Sequence, residues 1–249
     1  MTRNGNIPEI MVLGKNYFNA DISRIKSFGL FALLINMCAC NDLNNNGKLN
    51  VNGYTPEEID YFMEVGFCHD NKIARWKRDI KIFCHGDYHR EDIEFIDSLI
   101  TVIDSLIYPR QILIVEKKGN VNLFFSEPPP DCGGCEGLSK MKGSGTDNHI
   151  FAGKIWISPL LTGFKRKKTI VHECIHVLGL CHSYNKFFES YNFMSFFNLK
   201  TEEEKDSFYY NCLFPELDKK AIKFLYSKEL SSGISRDFFK ESYIKTENK

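Results

Sequence analysis

Eleven residues constrain this chain more than any other stretch: His172-Glu173-Cys174-Ile175-His176-Val177-Leu178-Gly179-Leu180-Cys181-His182. Histidines four apart lie about 40° apart around a helix, so both imidazoles project from one face and can reach a common ion at roughly 2.0–2.1 Å. On an unbroken helix His182 would sit about 15 Å further along than His172, out of reach of that ion. The helix must therefore stop and the chain must double back. Gly179 is the residue suited to this, because a left-handed C-terminal conformation costs glycine little. Val171, Cys174, Ile175 and Leu178 supply an apolar face opposite the histidines. The spacing predicts a helix, a stop and a return that bring three imidazoles to one metal.

Glu173 adds a chemical reading. It is not needed as a ligand, and beside a three-histidine Zn2+ it can accept a proton from bound water, whose pKa the metal brings towards 7. It can then pass that proton to a leaving amine while the zinc polarises the carbonyl. A bare H-E-x-x-H arises by chance in about one chain in a hundred of this kind; adding the glycine and the third histidine lowers this to roughly a few in a hundred thousand. A surface helix that merely carries histidines does not account for the pattern.

On these residues the chain resembles the metzincin clan of zinc metallopeptidases, whose motif is H-E-x-x-H-x-x-G-x-x-H. The resemblance implies His172, His176 and His182 as ligands, Glu173 as general base and Gly179 as the bend. It further implies that Met194, in Tyr191-Asn192-Phe193-Met194-Ser195-Phe196, forms a methionine turn beneath the metal, although spacing alone leaves it an ordinary core residue. Leu217 to Tyr226 resembles the clan's C-terminal helix. The resemblance covers about residues 76–230, with only 172–182 specific. It implies an α+β zincin-like fold: a small mixed sheet with a backing helix and an active-site helix, then an irregular C-terminal subdomain with the Met-turn and a C-terminal helix. More loosely, the chain is similar to bacterial secreted zincin-like lipoproteins. One departure is Phe196, where some members have a tyrosine that bonds the tetrahedral intermediate; transition-state help would then fall to zinc and backbone groups.

The N-terminal region bears on where such a site would work. Arg24 and Lys26 precede an apolar run, Phe28 to Ala39, of about a dozen residues, too short for a membrane span and suited to a signal-peptide core. It ends at Ala39-Cys40, which looks like a lipobox, so the expectation is export, with the cell envelope or the extracellular space as destination and membrane attachment through a lipidated Cys40. Of the nine cysteines, seven follow Cys40, an odd number, so export would let some pair and leave at least one over. Cys132-Gly-Gly-Cys135 reads as a local loop disulfide in preference to a redox or metal pair. Lys plus Arg and Asp plus Glu are 32 each, so no net field attracts nucleic acid.

Along the chain the expected organisation is residues 1–40 as signal peptide and lipobox, 41–75 as tether and short helix, and 76–249 as the peptidase domain. Thr55-Pro56-Glu57-Glu58 is a helix start with a capping box, followed by the stripe Ile59, Phe62, Met63, Phe67. Ile80 to Cys84 is a strand. Ile93, Ile96, Ile100, Ile103 and Ile107 mark an amphipathic helix stopped by Tyr108-Pro109. Ile112 to Val115 and Val121 to Phe125 read as two strands of a hairpin, residues 126–148 as a long loop, and Ile150 to Ile157 as an edge strand. His85 and His89 read as a solvated helix start, His149 as a surface residue, and Lys165 to Lys168 as a charged face. Three functions follow: an endopeptidase acting on protein or peptide substrates, a catalytically weak zinc-containing surface binding protein, or a zinc hydrolase acting on a non-peptide amide.

Overall fold

The computed structural model describes residues 51–247 apart from 52, 69, 146 and 184–214. The first of the two units into which the chain divides, Met1–Asn46, falls outside that range. The leader with Cys40, most of the tether, Cys212, and Met194 with Phe193 and Phe196 therefore lie outside the described residues.

Helix α1, Pro56–Val65, begins as its residues dictate. Thr55 N–H donates to Glu58 Oε2 at 2.9 Å and Glu58 N–H donates to Thr55 Oγ1 at 3.2 Å, which satisfies two otherwise orphaned donors. Its apolar face buries Ile59, Tyr61, Phe62 and Val65. Helix α2, Arg90–Ile107, buries Ile96, Leu99, Ile100, Ile103 and Ile107 and ends at Tyr108. His89 serves as its N-cap, and Asp92 accepts the His89 N–H at 2.8 Å.

The sheet comprises β1 (Arg75–Trp76), β2 (Ile80–Gly86), β3 (Ile112–Ile114), β4 (Val121–Phe125), β5 (Gly137–Gly143) and β6 (His149–Ile157). Its order is β1-β6-β4-β2-β3 with every pairing parallel, while β5 pairs antiparallel with β6. Alternation puts Ile80, Ile82, Cys84, Val121, Leu123, Phe125, Ile155 and Ile157 on one buried face. Helix α2 packs against β3, and α3, Gly163–Leu178, packs on β5 and β6. Among the described residues two further helices follow, α4 (Glu216–Leu225), over the stretch expected to be helical, and α5 (Arg236–Glu247), which no sequence expectation covered. The architecture is α+β with a mixed sheet. No described helix is long and apolar enough to cross a membrane.

Three expectations are corrected. The strands β3 and β4 are not a hairpin: both run parallel to β2, one on each side of it. Register explains why a short link suffices. Ile114 lies opposite Ile82 and Val121 lies opposite the same residue, so β4 starts at the level where β3 stops and no long return is needed. Asn120 fixes the crossing, its Oδ1 accepting the Lys81 N–H at 2.6 Å and its Nδ2 donating to the Asp79 carbonyl at 2.8 Å. Secondly, the stretch 126–148 contains β5, so β5 and not β6 is the outer strand beside α3. Thirdly, Lys165 to Lys168 is not a uniformly solvated face. Arg166 is buried and forks onto Asp92 of α2, Nε to Oδ1 at 2.7 Å and Nη2 to Oδ2 at 2.8 Å, with its guanidinium 4.7 Å from the Phe125 ring centre.

Candidate metal centre

The last turn of α3 is closed from within. Gly179 N–H donates to the His176 carbonyl at 2.9 Å and Leu180 N–H to the Ile175 carbonyl at 3.4 Å, the paired bonds of a Schellman cap. Gly179 has φ +112°, and a Cβ there would collide with the Ala74 carbonyl oxygen. The positive φ of the bend and the close approach of the Ala74 backbone therefore both require glycine at this position. Trp76 holds the helix end to the sheet, its Nε1–H donating to the Val177 carbonyl at 2.7 Å, and Tyr226 donates to the Leu178 carbonyl at 2.9 Å.

The reversal brings three ring nitrogens together. His172 Nε2 lies 2.9 Å from His182 Nε2 and 3.1 Å from His176 Nε2, and His176 Nε2 lies 3.1 Å from His182 Nε2. The His176 tautomer follows from its other nitrogen. Nδ1 lies 2.8 Å from the Leu180 carbonyl, which can only accept, so Nδ1 carries the proton and Nε2 presents a lone pair to the cluster. Burial, helped by the neighbouring His172, pushes His176 down to about 3, and burial also lowers His182, so these rings are neutral near pH 7. Three nitrogens each roughly 2.0–2.1 Å from one tetrahedral ion are about 3.3 Å apart. The observed separations fall within a few tenths of an ångström of this, so the three residues fit a metal ion. They form the one such His/Cys/Asp/Glu group among the described residues.

Glu173 is 6% exposed, with its carboxylate turned towards β5. A Cβ on Gly137 would come within 2.9 Å of Glu173 Oε1 and 3.0 Å of its Cγ, so the first residue of β5 lies directly over this side chain. Burial pushes the carboxyl up to about 7, and a hydrogen bond from Ser139 pulls it back in part. Neither Gly137 nor Ser139 stood out in the sequence, because nothing in residues 126–148 marks β5 as a strand. Cys174, next along the helix, faces the core. Burial pushes its thiol up to about 12 and that of Cys84 up to about 11, so both stay protonated at neutral pH, and neither belongs to the histidine group.

The segment bearing His182 is held by the N-terminal helix region. Cys181 N–H donates to the Val65 carbonyl at 2.7 Å, Cys181 is disulfide-bonded to Cys68, and Ser183 donates to the Glu64 carboxylate. Helix α1 and the turn after it thus frame the third histidine. Cys132 and Cys135 form the expected local disulfide.

The remaining histidines stay apart from the cluster. His85 Nε2 lies 2.9 Å from Asn122 Oδ1 and its ring stacks on Phe124 at 4.5 Å. His149, expected on the surface, is half-buried at the start of β6, with Nε2 3.1 Å from Asp147 Oδ2 but without hydrogen-bond alignment. A scan against protein-family models finds no match, and a search of curated proteins finds none.

Proposed function

We propose that the chain is a zinc-dependent endopeptidase of metzincin type, with His172, His176 and His182 as ligands and Glu173 as general base. The observation that carries this reading is the convergence of three imidazole nitrogens, 2.9–3.1 Å apart, at the end of a helix that also bears Glu173. Zinc held there supplies Lewis-acid polarisation of a carbonyl and a lowered pKa for water. The chain's own residues do the rest. His176 is locked by Leu180 with its lone pair forward, so no reorientation is needed to bind the ion. Glu173, whose carboxyl burial pushes up to about 7, is poised near neutral pH to take up a proton at its carboxylate and then release it to a leaving amine. Ser139 fixes the orientation of that carboxylate. The core behind Glu173, with Cys174 and Ile175, keeps water from its rear. By resemblance Met194 is assigned the turn beneath the ion, and Cys40 the lipid attachment of an exported chain. Two disulfides favour an oxidising compartment and support export.

The test is purified full chain, loaded with zinc, against a mixed peptide library with product mapping. Cleavage that stops with a chelator, returns with zinc and is lost in Glu173→Ala while zinc stays bound supports the proposal. Full turnover in Glu173→Ala overturns the role given to that residue. The burial of Glu173 beneath Gly137 favours a second reading, a zinc-containing surface binding protein with little turnover. Metal uptake without cleavage of any peptide would decide for it.

A further inference from the structure

We infer that Cys68 and Cys181 are positioning residues for the third histidine, and that reducing their disulfide loosens the metal centre. This rests on the metal-binding reading of the three histidines.

Geometry carries the argument. His172 and His176 stand on α3, a regular helix whose hydrogen bonds fix them without outside help. His182 does not. The helix ends at Leu178, and residues 181–183 have no regular secondary structure. Three ties of this short segment run to one place, the end of α1 and the turn after it. Cys181 takes a backbone bond to Val65 at 2.7 Å and a covalent bond to Cys68, and Ser183 bonds Glu64. The covalent tie sits on the residue directly before His182, so the ring lies one peptide unit from a fixed point. Cys68 is 113 residues away in sequence and belongs to a block anchored by Ile59, Phe62 and Val65 in the core, a rigid support.

Both half-cystines are partly exposed, so a small thiol can reach the bond. A thiolate of a dithiol attacks one sulfur and displaces the other as a thiolate, which takes a proton from solvent. The second thiol of the reagent then displaces the protein sulfur from the mixed disulfide. Two protein thiols form and the dithiol is oxidised to its cyclic disulfide, two electrons in all. Afterwards no covalent tie holds the segment to the turn after α1, and its link there rests on non-covalent contacts such as the Cys181–Val65 and Ser183–Glu64 bonds. Supporting contacts behind a metal ligand typically set affinity by roughly 10–100-fold, and that is the expected weakening.

The experiment uses the full chain stripped of metal and titrated with Co2+ against a competing chelator, with far-ultraviolet circular dichroism recorded on each sample. The double variant Cys68→Ser/Cys181→Ser is compared with wild type and with Cys132→Ser/Cys135→Ser. The expected result is a dissociation constant raised at least tenfold in the first variant, with the tetrahedral cobalt spectrum weakened and the helical signal kept, and a change under twofold in the second. Equal affinity in wild type and Cys68→Ser/Cys181→Ser overturns the inference alone. Wild type that takes up no cobalt overturns the metal-centre reading and the inference with it. Should the first variant fail to fold, the same comparison is made on folded cobalt-loaded Cys132→Ser/Cys135→Ser protein. There Cys68–Cys181 is the one disulfide among the described residues left for the dithiol to open. Loss of the cobalt spectrum before loss of the helical signal supports the inference, and simultaneous loss refutes it.

Discussion

Replacing Asp92 with alanine leaves Arg166 charged, buried and without its carboxylate. Both side chains are almost wholly enclosed, at 6% and 7% exposure, and the pair is bidentate. Removing one partner of such a pair costs about 3–5 kcal/mol, because the remaining charge keeps its desolvation penalty. Asp92 also accepts the His89 N–H, so the alanine variant loses an N-terminal cap of α2 worth about 1 kcal/mol. A loss of about 4 kcal/mol lowers the melting temperature by roughly 10 °C in a domain of this size. The assay is urea denaturation of metal-free protein, so that ligand linkage does not mask the change. Asp92→Leu combined with Arg166→Met should recover most of the loss, since no charge is then stranded. Proton linkage gives an independent sign. Burial alone would raise the Asp92 carboxyl, but the Arg166 hydrogen bonds, the His89 N–H and the guanidinium charge outweigh it and hold it below the usual range. A depressed carboxyl contributes stability above its unfolded pKa of about 3.9, and that contribution is lost as the pH falls through the folded value. Wild type should therefore lose stability below about pH 4 more steeply than the Leu/Met pair. A loss under about 1 kcal/mol in Asp92→Ala, or no recovery in the double variant, would refute the reasoning.

Three other outcomes follow from the centre itself. Gly179→Ala, at φ +112° and against the Ala74 carbonyl, should cost more than about 2 kcal/mol and weaken metal uptake, read by denaturation and by cobalt titration. Gly137→Ala places a methyl within 2.9 Å of Glu173 Oε1, so turnover should fall about tenfold or more while the metal dissociation constant stays within twofold, measured on one preparation. Free zinc at 100 times its dissociation constant should raise stability by about 2.7 kcal/mol, reversed by a chelator; an unchanged melting curve would mean that the folded state does not select the ion.

How far the sequence could be read depended on whether the signal was local. The α1 capping box, the isoleucine period of α2 and the break at Gly179 each lie within a few residues, and each emerges where the pattern put it. The β3–β4 link was misread because Lys117-Lys118-Gly119-Asn120 has hairpin composition, whereas the outcome is set by register against β2, a strand more than thirty residues earlier. Strand β5 was hidden for a similar reason: Gly137 to Gly143 has little β propensity and is a strand because β6 offers it an edge. Arg166 could not be separated from its lysine neighbours without knowing that Asp92 would face it. Of the centre, the histidines were legible because they share a helix and a bend. Their surroundings were not, since Val65, Cys68, Gly137 and Ser139 reach them only through the fold.

The meeting of α1 with α4 has a consequence for synthesis. Phe62 packs edge-on to Phe224 at 4.8 Å, and Tyr61 donates to Asp218 across 157 residues of sequence. At about 5–20 residues per second, the N-terminal helix leaves the ribosome roughly 8–30 s before the helix that covers it. Throughout that interval Ile59, Phe62 and Val65 lack their final partner, and the segment that cradles His182 gains Cys181 and Ser183 only in its later part. The nascent chain thus offers an apolar handle to a holdase until the last third of the protein has been made.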